Sequence, residues 1–214
     1  MRVVIAGGHG KIALLLEREL AERGDSPVGI VRNPDHVGDV EATGAEAAVL
    51  DLEDTDVASL ADVVKGADAV VFAAGGGPNS GAARKETVDR GAAVLLADAA
   101  EHAGVRRYVM VSSMGTENAD PDSDDVFQVY LRAKQAADDD LRARDLDWTV
   151  VRPGRLVDEA PGGRVQVGRL PRGEISRGDV AAVLAAALHE DATIGKTFDL
   201  LAGHQTVAAA LAGL

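Results

Sequence analysis

The first thirteen residues constrain the fold of this chain most, because they join a buried strand, a glycine turn and a helix. The apolar run at 3–6 is typical of a short strand in a parallel sheet. Glycines follow at positions 7, 8 and 10, and a helical pattern begins at about Lys11. A turn without side chains lets backbone N–H groups approach an anion, and the helix dipole favours negative charge there. The stretch therefore predicts the phosphate-binding turn of a dinucleotide site.

The spacing of this turn is Gly7-x-x-Gly10-x-x-Ala13 rather than G-x-G-x-x-G. Ala13 is the small residue that lets the helix pack closely on the strand. Glycines alone also serve tight turns for steric reasons. The prediction therefore rests on the position of the turn, directly after a strand and directly before a helix.

Length and composition narrow the class of protein. A chain of 214 residues is long enough for one well-buried domain. No apolar run approaches the roughly 20 residues of a membrane span, and the N-terminus lacks the pattern of a signal peptide, so we expect a cytoplasmic protein. The net charge of −13 argues against nucleic acid and anionic membranes as partners.

Two composition features bear on chemistry. The chain has no cysteine, which excludes thiol catalysis, disulfides and thiolate metal sites. Its five histidines are scattered and no pair has a metal-ligand spacing, so we expect no metal site. The expected ligands are small molecules, and the expected state is a monomer or homodimer.

Strand patterns alternate with helix patterns along the whole chain. Strands are predicted at 3–6, 27–31, 47–50, 69–74, 108–111, 148–151 and 197–201. Helices are predicted at 12–23, 60–64, 84–103, 126–144 and 180–189, with a short helix in the tail; the segment 155–174 has no period of its own. Such alternation predicts right-handed βαβ units, hence an α/β Rossmann fold: a doubly wound parallel sheet in a single domain, 1–214, with a small substrate-side portion from about 154.

Ligands of such sheets bind outside the carboxyl ends of the strands. The motifs that follow the predicted strands should therefore face one crevice. These motifs are the glycine turn, Arg32, Asp51, Ala74-Gly75, Ser112-Ser113 and Pro153.

The residue after the second strand indicates which dinucleotide binds. An NAD site usually has a carboxylate there, which accepts a hydrogen bond from the ribose 2′-OH. This chain has Arg32, followed by Asn33. A guanidinium can bind a 2′-phosphate through two charge-assisted hydrogen bonds, and Lys11 could add a second positive contact. The pattern favours NADP over NAD, although Arg32 could also be a solvent-facing residue without this role.

Tyr130 and Lys134 are candidates for proton chemistry. They lie four residues apart on a predicted helix, so they share one face. An ammonium there is expected to lower the pKa of the phenol from about 10, so that it can exchange a proton with a carbonyl. A hydroxyl of Ser113, or of its neighbour Ser112, could hold the same oxygen. The alternative is an incidental surface pair.

Several motifs in order give the chain a family resemblance. They are GGHGKIA at 7, VRNP at 31, DL at 51, VFAAG at 71, VSSMG at 111, YLRAK at 130, VVRPG at 150 and ISRGDVA at 175. With them the sequence resembles the atypical and extended short-chain dehydrogenase/reductase superfamily. It is most similar to the small NAD(P)-binding proteins related to biliverdin IXβ/flavin reductases and to nitrogen-metabolite-repression-type regulators.

The resemblance implies roles for individual residues. For the cofactor it implies Gly7, Gly10, Lys11 and Ile12 at the diphosphate, Arg32 at the 2′-phosphate, Asp51 and Leu52 at the adenine, and Ala73, Ala74 and Gly75 at the inner ribose. For the reaction it implies Ser113, Tyr130 and Lys134 as the catalytic set, with Lys134 also on the nicotinamide ribose and Pro153 against the nicotinamide.

Two functions follow from these residues. The first is an NADPH-dependent reductase for a small carbonyl, quinone or flavin-like acceptor. The second is a non-catalytic NADP(H)-binding redox sensor that regulates a partner protein. About sixty residues follow Pro153, which argues against the larger substrate domain of members that epimerise sugar nucleotides. The loops 76–83, 115–125 and 155–175 are expected to shape the substrate site.

Overall fold

The computed structural model describes residues 1–77 and 80–214, and within them the chain forms a nine-stranded sheet and a two-stranded one. The strands are β1 (Arg2–Ala6), β2 (Ser26–Val31), β3 (Glu46–Val49), β4 (Ala69–Phe72), β5 (Arg107–Val111), β6 (Asp147–Pro153), β7 (Arg155–Val157), β8 (Arg164–Gly168), β9 (Glu174–Ser176), β10 (Lys196–Ala202) and β11 (Gln205–Thr206). The helices are α1 (Lys11–Glu22), α2 (Val37–Glu41), α3 (Val57–Val64), α4 (Ala82–Arg84), α5 (Ala93–Ala103), α6 (Val126–Arg142), α7 (Arg177–Leu188) and α8 (Val207–Leu211). No helix in the described part of the chain has the length and apolar character needed to cross a membrane.

The strand order confirms the predicted Rossmann fold. The large sheet runs β11-β8-β10-β6-β5-β4-β1-β2-β3. Strands β1 to β6 and β10 pair in parallel, and the part β3-β2-β1-β4-β5-β6 has the order of a dinucleotide-binding sheet. Only the far edge departs from the prediction of a parallel sheet, since β8 pairs antiparallel with β10 and with β11.

Alternating side chains of the strands bury two cores, one on each face of the sheet. Val3 and Ile5 of β1 face a core that includes residues of α1, α7 and α8. Val4 and Ala6 of the same strand face a core with residues of α3, α5 and α6. A strand covered on both faces is apolar at most positions, which is why residues 3–6 of β1 and the whole of β4 read as continuous apolar runs.

The predicted helix at 84–103 is regular only in its second half. Between α4 and α5 the segment Lys85–Ala92 is π-helical, with one extra residue per turn. Such segments are rare and frequently lie at functional sites. The widened turn places Lys85 and Asp89 in the interior, where both are buried.

The expectation that 155–174 has no regular structure is wrong. Strands β7 and β8 lie in this segment, and β9 begins at its last residue. Asp179 of α7 orders the segment from a distance, because its carboxylate accepts hydrogen bonds from Gly162 N at 2.9 Å and Gly163 N at 2.8 Å. Ser176 caps α7, since its Oγ accepts from Asp179 N at 2.9 Å. Residues 78 and 79, within the predicted loop 76–83, lie outside the described residues.

Glu17 of α1 is a fully buried carboxylic acid beneath the glycine turn. Burial raises its pKa to about 8, and a hydrogen bond from Thr43 opposes the rise only in part. Its Oε1 would lie 2.4 Å from a Cβ at Gly29, so the side chain fills the space that this glycine leaves. Glu17 is therefore mainly uncharged near neutral pH.

We expect Glu17→Gln to change how stability depends on pH. The folded state holds this proton more tightly than the unfolded chain, where glutamate titrates near 4.5, so the free energy of unfolding should fall as the pH rises from about 4.5 to about 8. The amide cannot ionise, so the variant should lose this decline and exceed wild type above pH 8 by about 1 kcal/mol or more. Urea denaturation from pH 5 to 9 measures the effect, with exposed Glu22→Gln on the same helix as control. Identical slopes in all three proteins would contradict the prediction.

Candidate dinucleotide site and reaction centre

The glycine turn after β1 is wedged between the neighbouring strands. Gly7 has φ +84°, and a Cβ there would lie 2.6 Å from the Cα of Ala74. A Cβ at Gly8 would lie 2.7 Å from the Cα of Gly29 in β2. Gly10 N donates to Gly7 O at 2.8 Å and so closes the turn directly before α1. The backbone therefore admits no side chain at Gly7 or Gly8. The first amides of α1 have no hydrogen-bond partner within the helix, so they can bind an anion.

A cavity of about 450 Å³ opens beside this turn, at the carboxyl ends of β1 to β4. Of the residues predicted to bind the cofactor, it is lined by Gly7, Gly10, Arg32, Asn33, Asp51, Leu52, Ala73, Ala74 and Gly75. The structure thus brings together the positions expected at the adenine, the inner ribose and the 2′-phosphate. His9, His36, Glu53 and Arg84, which were not predicted, also line it.

Arg32 pairs with Glu53, a carboxylate that the sequence did not predict at this site and that Arg84 also contacts. Its Nη1 lies 3.3 Å from Glu53 Oε2, which also accepts from Arg84 at 2.9 Å. Thr87 donates to the other oxygen of Glu53 at 2.6 Å. These contacts, that of Thr87 above all, lower the pKa of Glu53. Both arginines therefore meet one ionised carboxylate at the rim of the cavity.

Lys11 is not among the residues that line the cavity with Arg32. Its exposed ammonium contacts Asp158 Oδ2 at 2.7 Å, and Arg177 contacts the other oxygen at 2.6 Å. These two cations lower the pKa of Asp158, with Lys11 the larger cause. Ile12, the neighbouring predicted residue, packs against the core. The structure pairs Lys11 with Asp158 and does not bring it to the predicted second contact beside Arg32.

Lys134 is buried at the carboxyl ends of β4 and β5. Its ammonium donates to Val111 O at 3.1 Å and to Ala74 O at 3.4 Å, and it lies 3.5 Å from Asp89 Oδ1. Asp89 in turn accepts from Gly76 N at 3.0 Å through its other oxygen. Asp89 Oδ1 makes no hydrogen bond to any residue that the structure describes. Lys134 and Asp89 therefore tie α6, the π-helical segment and the end of β4 together.

The pKa of Tyr130 departs from the prediction. It is raised to about 12 instead of lowered, chiefly by burial, with Asp89 and Asp138 adding to the rise and a hydrogen bond with Ser113 opposing it. The expected lowering by Lys134 is not found, and its ammonium is paired with Asp89. Tyr130 is therefore a neutral phenol that holds its proton at pH 7.

A second lysine faces Tyr130 from the π-helical segment. Lys85 Nζ lies 5.4 Å from the centre of the Tyr130 ring and donates to Gly77 O at 2.6 Å. The sequence offered no signal for it, since its approach to Tyr130 depends on the extra residue in the helical turn.

The two serines after β5 have separate tasks. Ser112 is buried and donates to Asp138 Oδ2 at 2.9 Å, a carboxylate that also accepts from Arg152 at 2.8 Å. Ser113 is only half-buried, and its side chain acts on the Tyr130 phenol by opposing the rise of its pKa, while its hydroxyl donates to Met114 O at 3.4 Å. Ser113, not Ser112, is thus the hydroxyl beside the phenol. Pro153 lies next to this pair, because its carbonyl accepts from Met114 N at 3.1 Å.

We expect Gly7→Ala to weaken dinucleotide binding far more than Gly24→Ala. Both glycines have φ near +85°, so both variants incur about 1–2 kcal/mol of left-handed strain. A Cβ at Gly24 meets nothing within 4 Å, whereas at Gly7 it must displace Ala74 in the cavity wall. Fluorescence titration with NADPH should show a loss of about tenfold or more for Gly7→Ala only. Thermal denaturation checks that both variants fold; equal affinities would contradict the prediction.

Comparison with known proteins agrees with this geometry. A family described as NAD(P)H-binding matches residues 7–191. YhfK of Bacillus subtilis (strain 168), named an uncharacterized sugar epimerase, is 35% identical over 213 residues, which is 99% of each chain. A solved structure from Bacillus halodurans, provisionally described as an NAD-dependent epimerase/dehydratase, has a TM-score of 0.92 at 38% identity and covers 100% of both chains. The oxidoreductase ylbE of Lactococcus lactis has a TM-score of 0.89 at 27% identity, over 100% of this chain and 96% of its own.

These relatives confirm the resemblance stated from the sequence, at the level of an NAD(P)-binding, Rossmann-like epimerase/reductase family. The glycine turn, where the family match begins, is the part of the site that the structure defines most tightly. The chain therefore belongs to the NAD(P)H-binding family.

Proposed function

We propose that this protein is an NADPH-dependent oxidoreductase that transfers hydride to a small carbonyl, quinone or flavin-like acceptor. The observation that carries the proposal is the side chain of Ser113 near the phenol of Tyr130, which lies one turn before buried Lys134 on α6. Lys134 bonds to the carbonyl of Ala74, and Ala74 also lines the dinucleotide cavity. Binding and proton donation therefore take place at one edge of the sheet.

Each residue of the reaction centre has a distinct role. When bound, the dihydronicotinamide supplies a hydride to the acceptor carbon. Tyr130 donates the proton that the acceptor oxygen then needs, which it can do because it is protonated at neutral pH. Ser113 would hold the acceptor oxygen beside the phenol. Lys134 holds the ends of β4 and β5 in place and would contact the nicotinamide ribose, and Pro153 would lie against the nicotinamide.

The preference for NADPH rests on Arg32 at the end of β2. We expect Arg32→Glu to weaken NADPH binding several-fold or more while changing NADH binding much less, because a phosphate contact becomes a repulsion. Fluorescence titration of both cofactors gives the ratio of dissociation constants. Arg23→Glu, the same charge change at the far end of α1, is the control and should leave the ratio unchanged. A ratio unaffected by Arg32→Glu would mean that Arg32 does not read the phosphate.

Tyr130→Phe should separate chemistry from binding. The variant keeps the ring and loses the hydroxyl, so the affinity for NADPH should persist while kcat for a carbonyl acceptor falls by at least about tenfold. Tyr108→Phe is the matched control: this buried hydroxyl donates to the carbonyl of Ala93, so its loss should lower stability but not kcat. Lys134→Met should impair both binding and turnover, since it also leaves Asp89 without its cation.

A screen of NADPH oxidation with quinones, flavins, aldehydes and ketones tests the oxidoreductase proposal and supplies the acceptor for these assays. Turnover of a carbonyl at the wild-type rate by Tyr130→Phe would show that the phenol is not the donor. NADPH binding without turnover of any acceptor would favour the redox-sensor function instead.

A further inference from the structure

Two histidines stack on each other in the wall of the dinucleotide cavity. His9 lies in the glycine turn, and His36 ends the short 3₁₀ turn Pro34–His36 after β2. Their ring centres are 3.6 Å apart and their planes differ by 13°. Both line the cavity together with Arg32 and Asn33. The imidazoles therefore lie on the side of the cavity where the residue after β2 reads the ribose 2′-substituent.

The charge around this pair is the reason that the histidines matter. The cavity lining contains two arginines, Arg32 and Arg84, and two carboxylates, Asp51 and Glu53. Both arginines are already paired with Glu53. The rim is thus electrically balanced before a 2′-phosphate arrives. A phosphate dianion would gain little net attraction from such a rim, so tight binding requires further positive charge.

An imidazole can supply this charge, since histidine ordinarily titrates between about pH 5 and 8. His9 Nε2 lies 2.8 Å from Asp39 Oδ2, a contact that fixes the position of its ring. Two positive charges at ring centres 3.6 Å apart would repel each other, so the pair can carry one positive charge.

We propose that His9 and His36 form a proton-dependent reader of the 2′-phosphate, so that the preference for NADPH over NADH increases as the pH falls. The inference rests on the proposed function and deepens it, because it names what sets cofactor choice beyond Arg32. The pair takes up a proton as the phosphate binds, and the charged imidazole then donates a hydrogen bond to a phosphate oxygen.

Other titratable and charged groups surround the pair. They are Asp39 of α2, Asp35 of the 3₁₀ turn, Arg32 after β2, Asp51 and Glu53 after β3, Arg84 of α4, and Glu17 of α1 beneath Gly8. Of these, Glu17 titrates in the same range, with a pKa of about 8. Glu17 lies under the turn that both cofactors share, so its effect cancels in the ratio of their dissociation constants.

The test compares this ratio, NADH over NADPH, at pH 8.0 and pH 6.5. The second pKa of a phosphate monoester is about 6, so the 2′-phosphate stays mostly dianionic across this window. For wild type we expect the ratio to rise by about fivefold or more as the pH falls. His9→Asn and His36→Gln should each reduce the rise, and the double variant should abolish it. His102→Gln, an exposed histidine of α5, is the control and should behave as wild type.

Proton uptake gives a second readout. Calorimetry in two buffers of different ionisation enthalpy measures the protons taken up on binding. Near pH 7, NADPH binding should take up about half a proton or more beyond the uptake for NADH, and this difference should be absent in the double variant. A ratio above one that is equal at both pH values and in the double variant would overturn the assignment and leave the NADPH preference intact. A ratio near one at both pH values would overturn the NADPH preference, and the histidine assignment with it.

Discussion

The close approach of backbone to backbone at the glycine turn is the contact on which the rest of the site depends. Gly8 meets Gly29 of β2, and Gly7 meets Ala74 after β4, at distances that admit no Cβ. Strands β1, β2 and β4 can then converge on the N-terminus of α1. The same compaction explains Glu17, whose carboxyl group fills the space beside Gly29 although burial makes its ionisation unfavourable. The buried carboxyl group lowers the stability of the fold at the place where the backbone forms the geometry of an anion site.

The reaction centre depends on a different kind of contact, a set of buried ion pairs. Lys134 pairs with Asp89, and one helical turn later Asp138 pairs with Arg152. Burying such pairs contributes little net stability, but removing one partner leaves an uncompensated charge, so the arrangement is specific. It also explains the pKa of Tyr130: the nearby lysine is paired with a carboxylate, so burial prevails and the phenol keeps its proton. The proton donor that we propose needs that protonation state.

Local patterns predicted most of the fold, and long-range contacts account for what they missed. The strand predicted at 108–111 is Arg107–Val111, and the helix predicted at 180–189 is α7, Arg177–Leu188, because both depend on neighbours in sequence. The strands at 155–174 were missed because Asp179 and β10 order that segment from many residues away. Asp89 was missed for a similar reason: its partner Lys134 is on another helix, and the π-helical turn that brings them together has no periodic signature.

The charged side chains at the two ends of the site differ in their exposure to solvent. At the dinucleotide end the charges are partly exposed: Arg32 is 54% accessible and Lys11 68%, so water and salt screen them. At the reaction end Lys134 is 4% accessible and Asp89 1%, so their charges act in a low dielectric and respond little to solvent. Cofactor affinity can then vary with pH and ionic strength while the geometry of the proposed proton donor stays constant. A site built this way can alter which dinucleotide it holds without altering the chemistry that follows.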